Sequence, residues 1–137
     1  MTKIILNGCN GKMGMAVSRL VAERNDCEIV AGVDLNTTIT REFPVYSNIK
    51  EVKSGDVIID FSHPSCLPDL LEYAVTTKTP IVVATTGLSD ADIENVKSAS
   101  KALREEQQSR TWKKARPKPL RSLRLLRLPP IRHRFRP

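Results

Sequence analysis

The 137-residue chain has little of what staples or anchors a protein. It holds three cysteines, Cys9, Cys27 and Cys66, an odd number with no C-x-x-C pair. That excludes a disulfide framework or a zinc site of the usual spacing and points to free thiols in a reducing compartment. Histidine is as scarce, with His63 alone among residues 1–100, and no metal is expected. No apolar run approaches the ~20 residues needed to span a bilayer. Met1-Thr2-Lys3 runs straight into a strand pattern, unlike a signal peptide. The expectation is a cytoplasmic protein without a membrane partner.

Positive charge is also missing from most of the chain. The formal net charge is +7, yet residues 1–100 carry 9 Lys/Arg against 13 Asp/Glu, a net of −4. The last 37 residues carry 13 against 2, a net of +11. So sharp an asymmetry predicts two segments, a domain over 1–100 and a basic Arg/Pro/Leu-rich tail over 101–137.

What is present in the first segment alternates. Lys3-Ile4-Ile5-Leu6-Asn7 reads as a strand and leads into Gly8-Cys9-Asn10-Gly11-Lys12-Met13-Gly14. A helix pattern follows, with Met13, Ala16, Val17, Leu20 and Val21 on one face. Strand, glycine turn, helix is the arrangement that aims backbone N–H groups at a phosphate. The spacing, G-x-x-G-x-x-G, departs from the dinucleotide-binding G-x-G-x-x-G, so context decides its meaning. The second strand, Glu28–Val33, ends on Asp34, 26 residues after Gly8. A carboxylate at that distance can accept hydrogen bonds from both adenosine ribose hydroxyls and repel a 2′-phosphate. With Leu35 and Asn36 following and Arg41 the first cation, the pattern favours NADH over NADPH. Residues 35–48 read as loop. Further strands are predicted at Asp56–Asp60 and Pro80–Ala84, with helices through Leu67–Val75 and after Ser89, where Asp92 completes a capping-box pattern. Pro68 fits only in the first turn of its helix.

Alternating strands and helices predict an α/β fold, a Rossmann-type parallel sheet with flanking helices and strands buried on both faces. In such a sheet ligands bind beyond the carboxyl ends of the strands, here the loops 8–14, 34–38, 60–64 and 84–87. Lys12 is either a phosphate counter-charge or a solvated cation. Cys9 lies near a helix N-terminus, which lowers a thiol pKa, but it has no visible base partner and reads as a small turn residue. His63 reads as a structural or solvated loop residue rather than a catalytic one.

These pieces resemble the N-terminal half of dihydrodipicolinate reductase. Gly8 to Gly14, Val33-Asp34, Ile59-Asp60-Phe61-Ser62-His63-Pro64 and Ala84-Thr85-Thr86-Gly87-Leu88 stand in that family's order and spacing. The resemblance implies hydride transfer from NADH or NADPH to dihydrodipicolinate. It implies that Gly8, Cys9, Asn10, Gly11, Lys12 and Met13 hold the pyrophosphate and Asp34 the adenine ribose. Ala84, Thr85 and Thr86 would line the nicotinamide end, Thr86 also near the substrate; the family usually has glycine where Ala84 stands. It resembles the family only to about residue 100. The His-His-x-x-Lys-x-Asp-Ala-Pro-Ser-Gly-Thr signature that supplies acid and substrate-binding groups does not occur in the sequence, so no catalytic residue is assigned. The chain is expected to be inactive alone and to lack the family's homo-oligomer interface. The tail reads first as an out-of-frame, poorly ordered replacement for the family's second half. It reads second as a nucleic-acid-binding segment with Trp112 beside Lys113 and Lys114. A distant third is a membrane-surface helix over Leu120–Leu128. A nucleotide-binding or regulatory module carrying a nucleic-acid-binding tail is the alternative function.

Overall fold

The computed structural model describes residues 1–115. Five parallel strands form one sheet in the order β3-β2-β1-β4-β5. They are β1 (Thr2–Asn7), β2 (Cys27–Val33), β3 (Val45–Tyr46), β4 (Val57–Asp60) and β5 (Ile81–Val83). Helices α1 (Lys12–Ala22), α2 (Leu67–Thr77) and α3 (Asp90–Ala115) follow β1, β4 and β5, and short 3₁₀ turns cover Ile49–Glu51 and Pro64–Cys66. Each of the four strands expected from apolar runs is present. The loop expected over 35–48 contains β3, too short to show a period. It is held by backbone hydrogen bonds from Gly32 N to Pro44 O (2.9 Å) and from Asp34 N to Tyr46 O (3.0 Å).

The two faces of the sheet are covered unequally. Leu70, Tyr73 and Ala74 of α2 pack with Ile5, Ala31, Val33, Ile49, Val52 and Ile58 in one buried cluster. Val96 and Ala99 of α3 extend that layer over Leu67 and Leu71. The β1-to-β2 and β4-to-β5 crossovers run in opposite directions along the sheet, and right-handed connections therefore lay α1 and α2 on opposite faces. Among the described residues α1 stands alone on its face. The expected burial of the strands on both faces holds for β1, where the consecutive Ile4, Ile5 and Leu6 are buried, and for the end of β2, and is corrected for β4 and β5: Val57 and Ile59 are half-buried and Val82 is 56% exposed. The predicted core stripe of α1 is corrected too. Met13, Ala16 and Leu20 are exposed, Val17 and Val21 are half-buried, and the buried residue is Gly14.

The capping box of α3 forms as expected, with Ser89 N donating to Asp92 Oδ2 (3.0 Å) and Asp92 N to Ser89 Oγ (3.1 Å). The helix does not stop at Ser100. It continues to Ala115, so residues 101–115, expected to be irregular, are helical. That stretch is rich in Ala, Leu, Lys, Arg, Glu and Gln and has neither Gly nor Pro, which favours helix regardless of net charge. Lys78 Nζ meets Glu106 Oε1 at 2.6 Å and ties it to the end of α2. The readings of Leu120–Leu128 and of the rest of the tail from residue 116 lie outside the described residues, as do the side chains of Trp112, Lys113 and Lys114. No described helix is long and apolar enough to cross a membrane.

Candidate functional site

The site is built where β1, β2 and β4 end. Gly8 leaves β1 with φ +77°, and a Cβ there would lie 2.5 Å from Phe61 O. Only glycine fits, because the conformation is left-handed and the neighbouring strand's backbone is in contact. Gly14 is closed for a different reason: a Cβ would meet Gly8 O at 2.2 Å, so α1 is pressed onto the turn that precedes it. Gly11 differs from both, since its Cβ would meet only Gly8 O, at 3.5 Å. It is the N-cap of α1, with no side-chain cap and no acid in the first turn. The helix N-terminus is therefore open to an outside anion, with free amides and the positive end of the helix dipole.

Asp34 closes the turn from the β2 side. Its Oδ2 accepts from Asn10 N and its Oδ1 from Asn36 N, both at 3.0 Å. A carboxylate has about four acceptor positions, so two remain for a ligand's hydroxyls. Asn10 is fixed further by Nδ2 donating to Asn36 O (2.7 Å). Arg41, seven residues beyond Asp34, returns to the same place. Its guanidinium donates to Ser18 Oγ (2.5 Å) and Asn10 Oδ1 (3.5 Å), contacts Met15 Sδ and lies 5.0 Å from the Phe43 ring centroid.

A cavity of about 190 Å³ opens at these strand ends, lined in part by Gly8, Gly11, Asp34, Phe61, Ser62 and Cys66. A larger one, about 500 Å³, lies by α1 and the start of β2 near Met1, Arg19, Arg24 and Cys27. It runs from Ser18 and Arg41 down to Met1 and Cys27 at the amino ends of the strands, whereas the smaller cavity lies at the carboxyl edge where parallel sheets bind ligands and is the candidate. Of the residues predicted from sequence, Gly8, Gly11 and Asp34 line it, and Lys12 and Met13 are exposed at the first turn of α1. Ala84, Thr85 and Thr86 do not line it. They follow β5 at the neighbouring strand end, joined to the site by Ala84 N to Asp60 O (2.9 Å) and Thr85 Oγ1 to Asp60 Oδ2 (2.7 Å).

Cys9 and His63 are both held by local structure. The Cys9 side chain is fully buried beneath Gly32. Burial pushes its thiol pKa up, the Asp34 charge adds to this, and Arg41 opposes it. The helix terminus does not activate this thiol, and only its backbone is available to a ligand. His63 caps the 3₁₀ turn, with Nδ1 accepting from Ser65 N (3.1 Å). Phe61, Ser62 and His63 line the cavity from the 60–64 loop expected at a strand's carboxyl end, while Asn7 and Cys66 joined the site without a prediction. The signal for Asn7 was its place as the polar last residue of an apolar strand.

Residues 2–105 match the family model described as "Dihydrodipicolinate reductase, N-terminus". The chain belongs to the dihydrodipicolinate reductase family. Similar members are the 4-hydroxy-tetrahydrodipicolinate reductases of Caldanaerobacter subterraneus subsp. tengcongensis, 49% identical over 104 residues, and of Clostridium tetani, 43% identical over 102. These matches take in 75% and 74% of the chain but 41% and 40% of those reductases, so the chain spans about two-fifths of their length. The fold is shared with a dipicolinate-bound dihydrodipicolinate reductase from Paenisporosarcina sp. TG-14. The TM-score is 0.62 at 23% identity, covering 74% of this chain and 43% of that one. A myo-inositol 2-dehydrogenase from Lactobacillus plantarum shares it as well, with a TM-score of 0.61 at 18% identity over 74% and 33% of the two chains.

Proposed function

We propose that residues 1–100, with α3 running on from them, are the cofactor half of a cytoplasmic reductase acting on dihydrodipicolinate. The observation that carries this reading is the uncapped start of α1 opening, past Gly11, onto the cavity that also holds Asp34. NAD(P)H held there would supply the hydride for the reduction of dihydrodipicolinate to tetrahydrodipicolinate, with the matching proton coming from an acid that these residues do not include. The chain's own residues bind and orient. The turn from Gly8 to Met13 receives the pyrophosphate through backbone N–H groups, and Lys12 adds a counter-charge. Asp34 accepts from the adenosine ribose. Ala84 and Thr85 border the nicotinamide end, and Thr86, exposed, faces the substrate. Asp34 favours NADH over NADPH, and Arg41 beside Asn10 moderates that preference by offering a cation to a 2′-phosphate.

The test is direct titration of this chain with NADH, followed by the cofactor's fluorescence. Binding is expected, and Asp34→Ala should weaken it by about ten-fold through loss of hydrogen bonds to a charged acceptor. No binding by the unaltered chain would overturn the reading. The sequence holds no acid or substrate-binding signature of the family, so NADH with fresh dihydrodipicolinate should give little or no turnover. Rates near those of a whole reductase would contradict this division of labour.

A further inference from the structure

The roles given above leave Asp60 unused, although it is the most buried charged side chain described, at 1% exposure. It forms no ion pair among the described residues, and burying an unpaired carboxylate is costly. Hydrogen bonds offset that cost, and their arrangement is divided. Oδ1 accepts from Asn7 Nδ2 (2.9 Å), Ser62 N (3.1 Å) and Ser62 Oγ (2.6 Å). Oδ2 accepts from Thr85 Oγ1 (2.7 Å). One oxygen thus serves the residue before the glycine turn and the wall of the cavity. The other serves the Ala84–Thr86 loop, which does not line that cavity. Asn7 and Asp60 stand opposite each other in the parallel register, so this carboxylate joins the ends of β1, β4 and β5. A core that needed only cohesion would gain as much from an apolar side chain of this size.

We propose that Asp60 is a positioning residue that fixes the Thr85 loop relative to the glycine turn, so that the two ends of a dinucleotide are bound as one unit. The proposal rests on the dinucleotide reading above. Asp60→Asn separates the two oxygens. Its amide oxygen keeps the three donors at Oδ1, while its amide nitrogen takes the place of Oδ2 and turns a donor towards the Thr85 hydroxyl.

The experiment titrates this chain and its variants with NADH and with ADP-ribose, which lacks the nicotinamide ring. Asp60→Asn is expected to weaken NADH by about ten-fold while ADP-ribose stays within about two-fold. Thr85→Val, which removes only the donor at Oδ2, should reproduce that selective loss. The double variant should bind NADH no worse than the weaker single one, because both break the same link. Equal losses for the two ligands in both variants would make the network a general support of the fold and overturn the proposal. So would unchanged NADH binding. If Asp60→Asn does not fold, Thr85→Val decides by the same comparison. Failure of the unaltered chain to bind either ligand would overturn the dinucleotide reading and this proposal with it, whereas ADP-ribose binding without an NADH-selective loss overturns the proposal alone.

Discussion

At the scale of single residues, the three glycines of the turn do different work, which substitution can separate. Gly8→Ala forces a left-handed conformation and a contact with the Phe61 backbone, and should destabilise the fold by about 1–3 kcal/mol from the conformation alone. Gly11→Ala meets no side chain, and its methyl group projects where a phosphate would approach. It should leave the urea midpoint unchanged while weakening NADH binding markedly. Equal stability losses in both variants would show that the difference between open and closed glycines is without consequence. The cysteines give a second readout. Cys9 is buried with its pKa raised, whereas Cys27 and Cys66 are partly exposed. Iodoacetamide labelling followed by mass spectrometry should modify Cys27 and Cys66 first and Cys9 only on unfolding. NADH should slow labelling of Cys66, which lines the cavity, and leave that of Cys27 unchanged. Since the folded Cys9 thiol ionises later than the unfolded one, its contribution to stability is present below its ordinary value of 9.0 and is lost as pH rises through the folded value.

At the scale of elements, the capping box shows how local chemistry sets the site's border. Ser89 starts α3 two residues after Gly87, directly beyond the Thr85-Thr86 loop, so the cap fixes where that loop must end. Ser89→Ala should cost about 1 kcal/mol in chemical denaturation, the usual value of a side-chain N-cap. This cap, the placement of Pro68 and the four longer strands were legible because each has a local cause: a hydroxyl at the right spacing, a ring that fits only the first turn, an apolar run. The stripe of α1 was legible as helix but not as burial. Met13, Ala16 and Leu20 repeat correctly, yet whether they are covered depends on what lies above the helix, and no local pattern carries that. β3 left no signal because two residues have no period. Arg41 was read by its distance along the chain, and only folding of the 35–44 segment brings its guanidinium to Asn10. The Asp60 network was hidden for a similar reason. Four polar residues, Asn7, Asp60, Ser62 and Thr85, ending or following three different strands, become one hydrogen-bonded group only when the parallel register is in place.

At the scale of the whole molecule, the unequal faces of the sheet make the described part chemically unfinished. One face is sealed by α2 and α3, while the other carries α1 over β1 and β2 and leaves Val82 of β5 exposed. β5 is also an outer strand with β4 as its one partner among the described residues. A strand with unpaired backbone groups and an exposed valine is a template for pairing with another copy. The relatives are more than twice as long over the same match, so in them further chain is available to cover such a surface. In these residues alone the expected outcome is concentration-dependent self-association. Val82→Lys places a charge on the open face without touching the α2 side, where Ile81 and Val83 pack. By light scattering after size exclusion, it should keep the chain monomeric at concentrations where the unaltered chain associates, with NADH affinity unchanged because the cavity lies at the ends of β1, β2 and β4. Association that persists in Val82→Lys would move its source to another surface, with the exposed Met13 and Leu20 of α1 the next to replace.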